Sequence, residues 1–146
     1  MSNINASQTV IVYADGGSRG NPGPSGCGSV LKNGETQELI CGLSKYLVIA
    51  TNNVAEYSGL VLGLTEAKAR GYKSVEVRMD SELVVKQMLG VYRVKNENLK
   101  PLFMEAQKLS RNFETFKIVH VRREYNKEAD KLANEAMDKK DATLIQ

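Results

Sequence analysis

A chain of 146 residues is long enough for one ordinary domain with a sizeable core, and 42% apolar with 25% charged residues excludes a disordered polymer. No apolar run approaches the roughly 20 residues of a membrane-spanning helix, so no membrane role is expected. The net charge of +3 is mild but uneven: from Lys86 onward 13 Lys and Arg face 9 Asp and Glu, against 7 and 8 before it, so the second half suits an anionic partner.

Met1–Gln8 carries neither a basic nor an apolar leader region, which makes a cytoplasmic location the expectation. Residues 9–14 read as a buried strand ending on Asp15, followed by a Gly- and Pro-rich loop up to Pro24. Cys27–Lys32 and Gln37–Leu43 read as two further strands, joined by a hairpin at Asn33-Gly34. That turn would make Cys27 and Cys41 near neighbours; two core thiols in a reducing compartment are expected, with a disulfide as the alternative. Thr51-Asn-Asn-Val-Ala-Glu-Tyr opens a helix with Val54, Tyr57, Val61 and Leu64 on one stripe and Gly71 as its stop. Ser74–Met79 alternates as a fourth strand, parallel to the first through a right-handed crossover. Ser81–Leu89 and Glu97–Phe113 read as helices, Phe116–Val121 as a fifth strand and Lys127–Lys140 as a last helix. The spacing predicts one α/β domain over residues 1–146, with a five-stranded mixed sheet flanked by helices, βββαβααβα, and flexible tails at 1–8 and 138–146.

Four acids fall at element ends: Asp15 after strand one, Glu56 in the first turn of the long helix, Asp80 after strand four and Asp130 near the start of the last helix. Singly each has a local explanation. Asn53 and Glu56 form a capping box, Asp80 suits an N-cap, Asp15 an Asx-turn, and Asp130 a helix start capped by Asn126. Together they would share the rim where open α/β sheets bind ligands. Crowded carboxylates repel, and two Mg²⁺ or Mn²⁺ ions about 3.5–4 Å apart would relieve that repulsion and serve phosphodiester hydrolysis. Oxygen-only donors favour these ions over Zn²⁺.

The blocks Asp15-Gly-Gly-Ser-Arg-Gly-Asn-Pro-Gly-Pro, Thr51-Asn-Asn-Val-Ala-Glu56, Asp80-Ser-Glu-Leu-Val and Asn126-Lys-Glu-Ala-Asp130-Lys-Leu-Ala resemble, in order, the signature blocks of type 1 ribonuclease H, over about residues 9–137. The resemblance implies the ribonuclease H-like fold, with strand order 3-2-1-4-5, and two-metal cleavage of the RNA strand of an RNA/DNA hybrid, leaving 5′-phosphate and 3′-hydroxyl ends. It implies that Asp15 bridges two Mg²⁺ or Mn²⁺ ions, that Glu56 and Asp80 complete the leaving-group site, and that Asp130 holds the ion carrying the attacking water. It also assigns Asn21, Asn53 and the adjacent Asn52 to the minor groove of the hybrid, and Thr51 and Asn96 to one phosphate of the DNA strand. A monomer is expected.

Three departures mark this chain. Glu82, counted with the substrate-binding residues, stands where many members have glutamine; its carboxylate can accept from a 2′-hydroxyl. The basic insertion of many bacterial members is absent, leaving Arg93, Lys95 and Lys100 as scattered cations. The short loop Val121–Asn126 lacks the histidine of many members; His120 belongs to the fifth strand, and Arg123 is the candidate substitute. The short form resembles archaeal-like and some bacterial members, a few of which also act on double-stranded RNA. The alternatives are another metal-dependent enzyme of the same fold, a phosphatase or different nuclease, and a non-catalytic hybrid-binding module.

Overall fold

The computed structural model describes residues 8–146, so the expected tail at 1–8 lies almost wholly outside the described residues. In chain order the elements are β1 (Thr9–Ser18), β2 (Gly23–Asn33), β3 (Leu39–Ala50), α1 (Asn52–Ala69), β4 (Ser74–Met79), α2 (Glu82–Met88), α3 (Lys100–Ser110), β5 (Thr115–His120), a 3-10 turn (Arg123–Tyr125), α4 (Lys127–Lys139) and β6 (Ala142–Ile145). They form one mixed sheet of order β5-β4-β1-β2-β3-β6. β1 and β4 pair in parallel, as the helical crossover requires, and β1, β2 and β3 form the antiparallel meander.

Alternation along the strands divides the side chains between two layers. Val10, Val12, Ala14, Leu31, Cys41, Val75, Val77 and Met79 pack with α1, α2 and α3 in the main core. Tyr13 and Val30 face the other way, toward Ala129 and Leu132 of α4. Within the main core the buried Tyr57 hydroxyl donates to Gln87 Oε1 at 2.7 Å, and its ring meets Phe103 edge-on at 6.4 Å.

Five expectations are corrected. The sheet has six strands rather than five: Lys140 takes a left-handed conformation (φ 51°) that turns the chain back, and β6 pairs antiparallel with Gly42–Lys45 of β3. The expected tail at 138–146 is therefore the end of a helix and an edge strand. The Gly-rich loop is largely strand, since β1 and β2 remain paired to Ser18 opposite Ser25. The hairpin is longer than Asn33-Gly34: Asn33 Oδ1 accepts from the amides of Glu35 and Thr36, and Gln37 adopts φ 64°. That register sets Cys27 opposite Lys45 and Cys41 opposite Leu31; both thiols are buried and free rather than neighbours.

Candidate active site

The parallel ladder between β1 and β4 stops at Tyr13 opposite Arg78, while β1 continues alongside β2. Asp15 thus lies just past the point where β4 ends, and Asp80 follows β4 directly. The other two acids arrive on helices, one from each face of the sheet. A Cβ on Gly16 would stand 2.1 Å from the Ala55 carbonyl oxygen, and one on Gly59 2.4 Å from that of Asp15. With no side chain between them, α1 lies directly on β1 and brings Glu56 into the same cleft as Asp15. Across the sheet, a Cβ on Gly26 or Gly28 would stand 2.6 Å from the carbonyl oxygen of Ala133 or Ala129. α4 therefore seats against β2 and presents Asp130 from the opposite face.

All four acids line one cleft of about 610 Å³, together with Asn21, Asn52, Asn53, Arg19 and Arg123. Asp15 is only 8% exposed. Burial, then the charge of Asp80, then a hydrogen-bonding contact with the Asp130 carboxyl raise its pKa to about 8. Burial lifts Glu56 to about 7; Asp80 adds to this, while a hydrogen bond from Ser81 opposes it. No three His, Cys, Asp or Glu side chains among the described residues already converge on one point as a ligand set. The acids meet pairwise instead, Asp15 with Asp130, while Glu56 and Asp80 are each held by a neutral partner.

Those neutral partners are the residues the sequence reading missed. Asn126, 2% exposed, donates from Nδ2 to both the Ala14 carbonyl (2.9 Å) and Asp80 Oδ1 (2.7 Å). It makes no side-chain cap, and its Oδ1 is buried without a protein partner. Ser81, not Asp80, caps α2, and its hydroxyl also serves Glu56. Thr51, not Asn53, caps α1 by accepting from Val54 N at 3.3 Å. Asn134 also lines the cleft, with Nδ2 donating to the Asp130 carbonyl.

Among the expected substrate residues, Asn21, Asn52 and Asn53 reach the cleft. Asn21 Oδ1 accepts from Asn52 N at 3.0 Å, and Asn52 Oδ1 from Ser18 N at 2.8 Å, which ties the β1–β2 connection to the start of α1. Thr51, Glu82 and Asn96 do not line it. Glu82 pairs with Lys86 at 2.6 Å, a partner that draws its pKa down. Asn96 Oδ1 accepts from Asn98 N in the approach to α3. His120 ends the edge strand β5, with Nε2 3.3 Å from the Asp80 carbonyl oxygen.

The profile of a family described as reverse transcriptase-like matches residues 13–136. The bifunctional protein Rv2228c of Mycobacterium tuberculosis is 45% identical over 129 residues, 88% of this chain but 35% of that protein. The structure of its N-terminal RNase H domain superposes with TM-score 0.88, covering 91% of this chain and 96% of that one. Ribonuclease HI of Halobacterium salinarum is 41% identical over 129 residues, 88% of this chain and 64% of its own length. The chain thus spans about a third of the first relative and under two thirds of the second. LC11-RNase H1, isolated from compost and solved in complex with an RNA/DNA hybrid, is 43% identical with TM-score 0.84, covering 90% of this chain and 98% of that one.

Proposed function

The chain belongs to the type 1 ribonuclease H family, and from that premise we propose that it is an endonuclease hydrolysing the RNA strand of RNA/DNA hybrids, giving 5′-phosphate and 3′-hydroxyl ends. One observation carries the reading: Asp15, Glu56, Asp80 and Asp130 line a single cleft with Asn21, Asn52 and Asn53 beside them. A phosphatase has no use for asparagines at that rim, and a pure binder gains nothing from acids turned toward phosphates.

The donor set fits Mg²⁺ or Mn²⁺. It is all oxygen, and burial, with the charge of Asp80 beside it, holds two of its acids well above their ordinary range. Asp15, Glu56, Asp80 and Asp130 would together hold the ions, Glu56 and Asp80 serving the leaving oxygen, Asp130 the attacking water and Asp15 both. Such ions, when bound, lower the pKa of the attacking water and stabilise the leaving oxygen. The chain's own contribution is orientation. Asn126 fixes one Asp80 oxygen, and the Ser81 hydroxyl stands beside the Glu56 carboxyl and favours its charged form. The cleft asparagines offer both donors and acceptors to 2′-hydroxyls in the minor groove, which is how RNA is told from DNA. Thr51 and Asn96 are assigned to a DNA-strand phosphate and Glu82 to a 2′-hydroxyl. Arg123, which lines the cleft, supplies a fixed positive charge to the departing phosphate; an arginine stabilises but does not act as a base there. A cytoplasmic site of action belongs to the same reading.

The test is end-labelled RNA/DNA hybrid incubated with Mg²⁺ or Mn²⁺, wild type beside Asp15→Asn, with duplex DNA, double-stranded RNA and a small phosphate ester in parallel. The wild type cuts the RNA of the hybrid and the variant does not. Intact hybrid under both metals overturns the reading, and preferential turnover of the small ester replaces it with a phosphatase.

A further inference from the structure

We propose that Arg19 binds the backbone of the hybrid, and that Asp138 occupies its guanidinium until a substrate phosphate takes over the pairing; the inference rests on the ribonuclease reading above. Arg19 lines the catalytic cleft from the β1–β2 connection. The backbone there is fixed, with Arg19 N donating to the Pro24 carbonyl at 2.8 Å and Gly20 at φ 83°. Its side chain crosses to α4, where Nη1 meets Asp138 Oδ1 at 2.6 Å. Asp130, Ala133, Asn134 and Met137 make α4 a wall of the cleft, and Asp138 continues it, about 12 Å along the helix from Asp130.

Three features make this pair exchangeable rather than structural. Both side chains are about half exposed, 48% and 62%, where an ion pair contributes little. Asp138 sits in the last turn of α4, the end at which the helix dipole disfavours an anion. A phosphate presents the guanidinium with the same two-oxygen geometry as a carboxylate, so the exchange loses no hydrogen bonding. The cleft also needs this cation. Four acids line it, and its one other lining cation, Arg123, is assigned to the departing phosphate, which leaves Arg19 to oppose their repulsion of the bound polyanion.

The experiment is a salt series of hybrid binding, read by anisotropy of a labelled hybrid in EDTA, with steady-state cleavage in Mg²⁺ beside it. The proteins are wild type, Arg19→Ala, Asp138→Asn and the double variant. Arg19→Ala weakens binding about tenfold at low salt, flattens the slope of log K against log salt by about 1, and raises KM more than it lowers kcat. Asp138→Asn tightens binding about threefold or more, and this gain disappears in the Arg19→Ala background. If Arg19→Ala only lowers Tm, with affinity, salt slope and KM unchanged, the pair is a strap and the proposal is overturned. It is also overturned if Asp138→Asn weakens binding as much as Arg19→Ala. A wild type that neither binds nor cuts the hybrid overturns the parent reading as well, whereas a wild type that cuts normally confines the failure to Arg19.

Discussion

Replacing Asp15 by asparagine should make the metal-free protein more stable while abolishing its chemistry. Burial and the neighbouring Asp80 and Asp130 carry this carboxyl from its ordinary 3.8 to about 8. Below pH 3.8 the acid is protonated whether folded or unfolded, and its environment costs nothing. Between 3.8 and 8 the folded state keeps a proton the unfolded state has lost, so stability falls as pH rises, and above 8 the cost is complete. At about 1.4 kcal/mol for each tenfold change in that proton equilibrium, the ionised side chain costs the fold on the order of 5 kcal/mol at pH 8. Asparagine retains the shape without the charge, and for a chain of this size the relief corresponds to on the order of 10 °C in Tm. Thermal unfolding in EDTA, followed by circular dichroism from pH 4 to 8.5, should show the two proteins converging at the acid end and the variant pulling ahead toward pH 8. Glu56, raised to about 7, adds a smaller decline of the same sign to both. Millimolar Mg²⁺ should return much of the wild type's loss at pH 8 and little at pH 4. Parallel Tm curves for the two proteins across this range, or equal Mg²⁺ effects at both ends, would refute the claim that these carboxylates are crowded and undercompensated.

Asn126→Ala removes the donors of the Ala14 carbonyl and Asp80 Oδ1; a loss of about 2–4 kcal/mol in urea titration is expected, with a higher Mg²⁺ requirement for cleavage. Asn126→Asp should be worse for activity, since it sets a second carboxylate against Asp80. Gly59→Ala drives a methyl to 2.4 Å from the Asp15 carbonyl and must lift α1 off β1, costing about 1–3 kcal/mol or more and most of the activity. Gly71→Ala, at φ 85° with open space around it, should cost about 1 kcal/mol by denaturant titration and leave cleavage intact. Arg123→Ala should lower turnover far more than hybrid affinity, and unchanged turnover removes Arg123 from the mechanism.

The acids were legible because the chemistry admits few residue types and each sits where an element begins or ends. The partners of those acids were not. An asparagine just before a helix reads as a cap, and nothing local to Asn126 reveals that its amide reaches β1 and the end of β4, 112 and 46 residues away. The glycines after Asp15 misled for a related reason. Glycine marks a turn when the chain must bend and a seat when another backbone must come close, and only the docked helices show that Gly16 is the second kind. For the same reason the stripe expected on α1 was imperfect: Gly59 and Gly63 share its buried face, while Val54 and Val61 are only partly covered. β6 escaped because four residues after a charged helix end carry too little pattern to be told from a tail.

Because its acids come from both faces of the sheet, the site has an order of assembly. A chain emerging from the ribosome has Asp15, Glu56 and Asp80 long before α4, so no nascent product, and none truncated before α4, can bring all four acids to the cleft. On the ribonuclease reading proposed above, the protein would be inert while it is being made and competent only once its last helix has closed on the glycines beneath it.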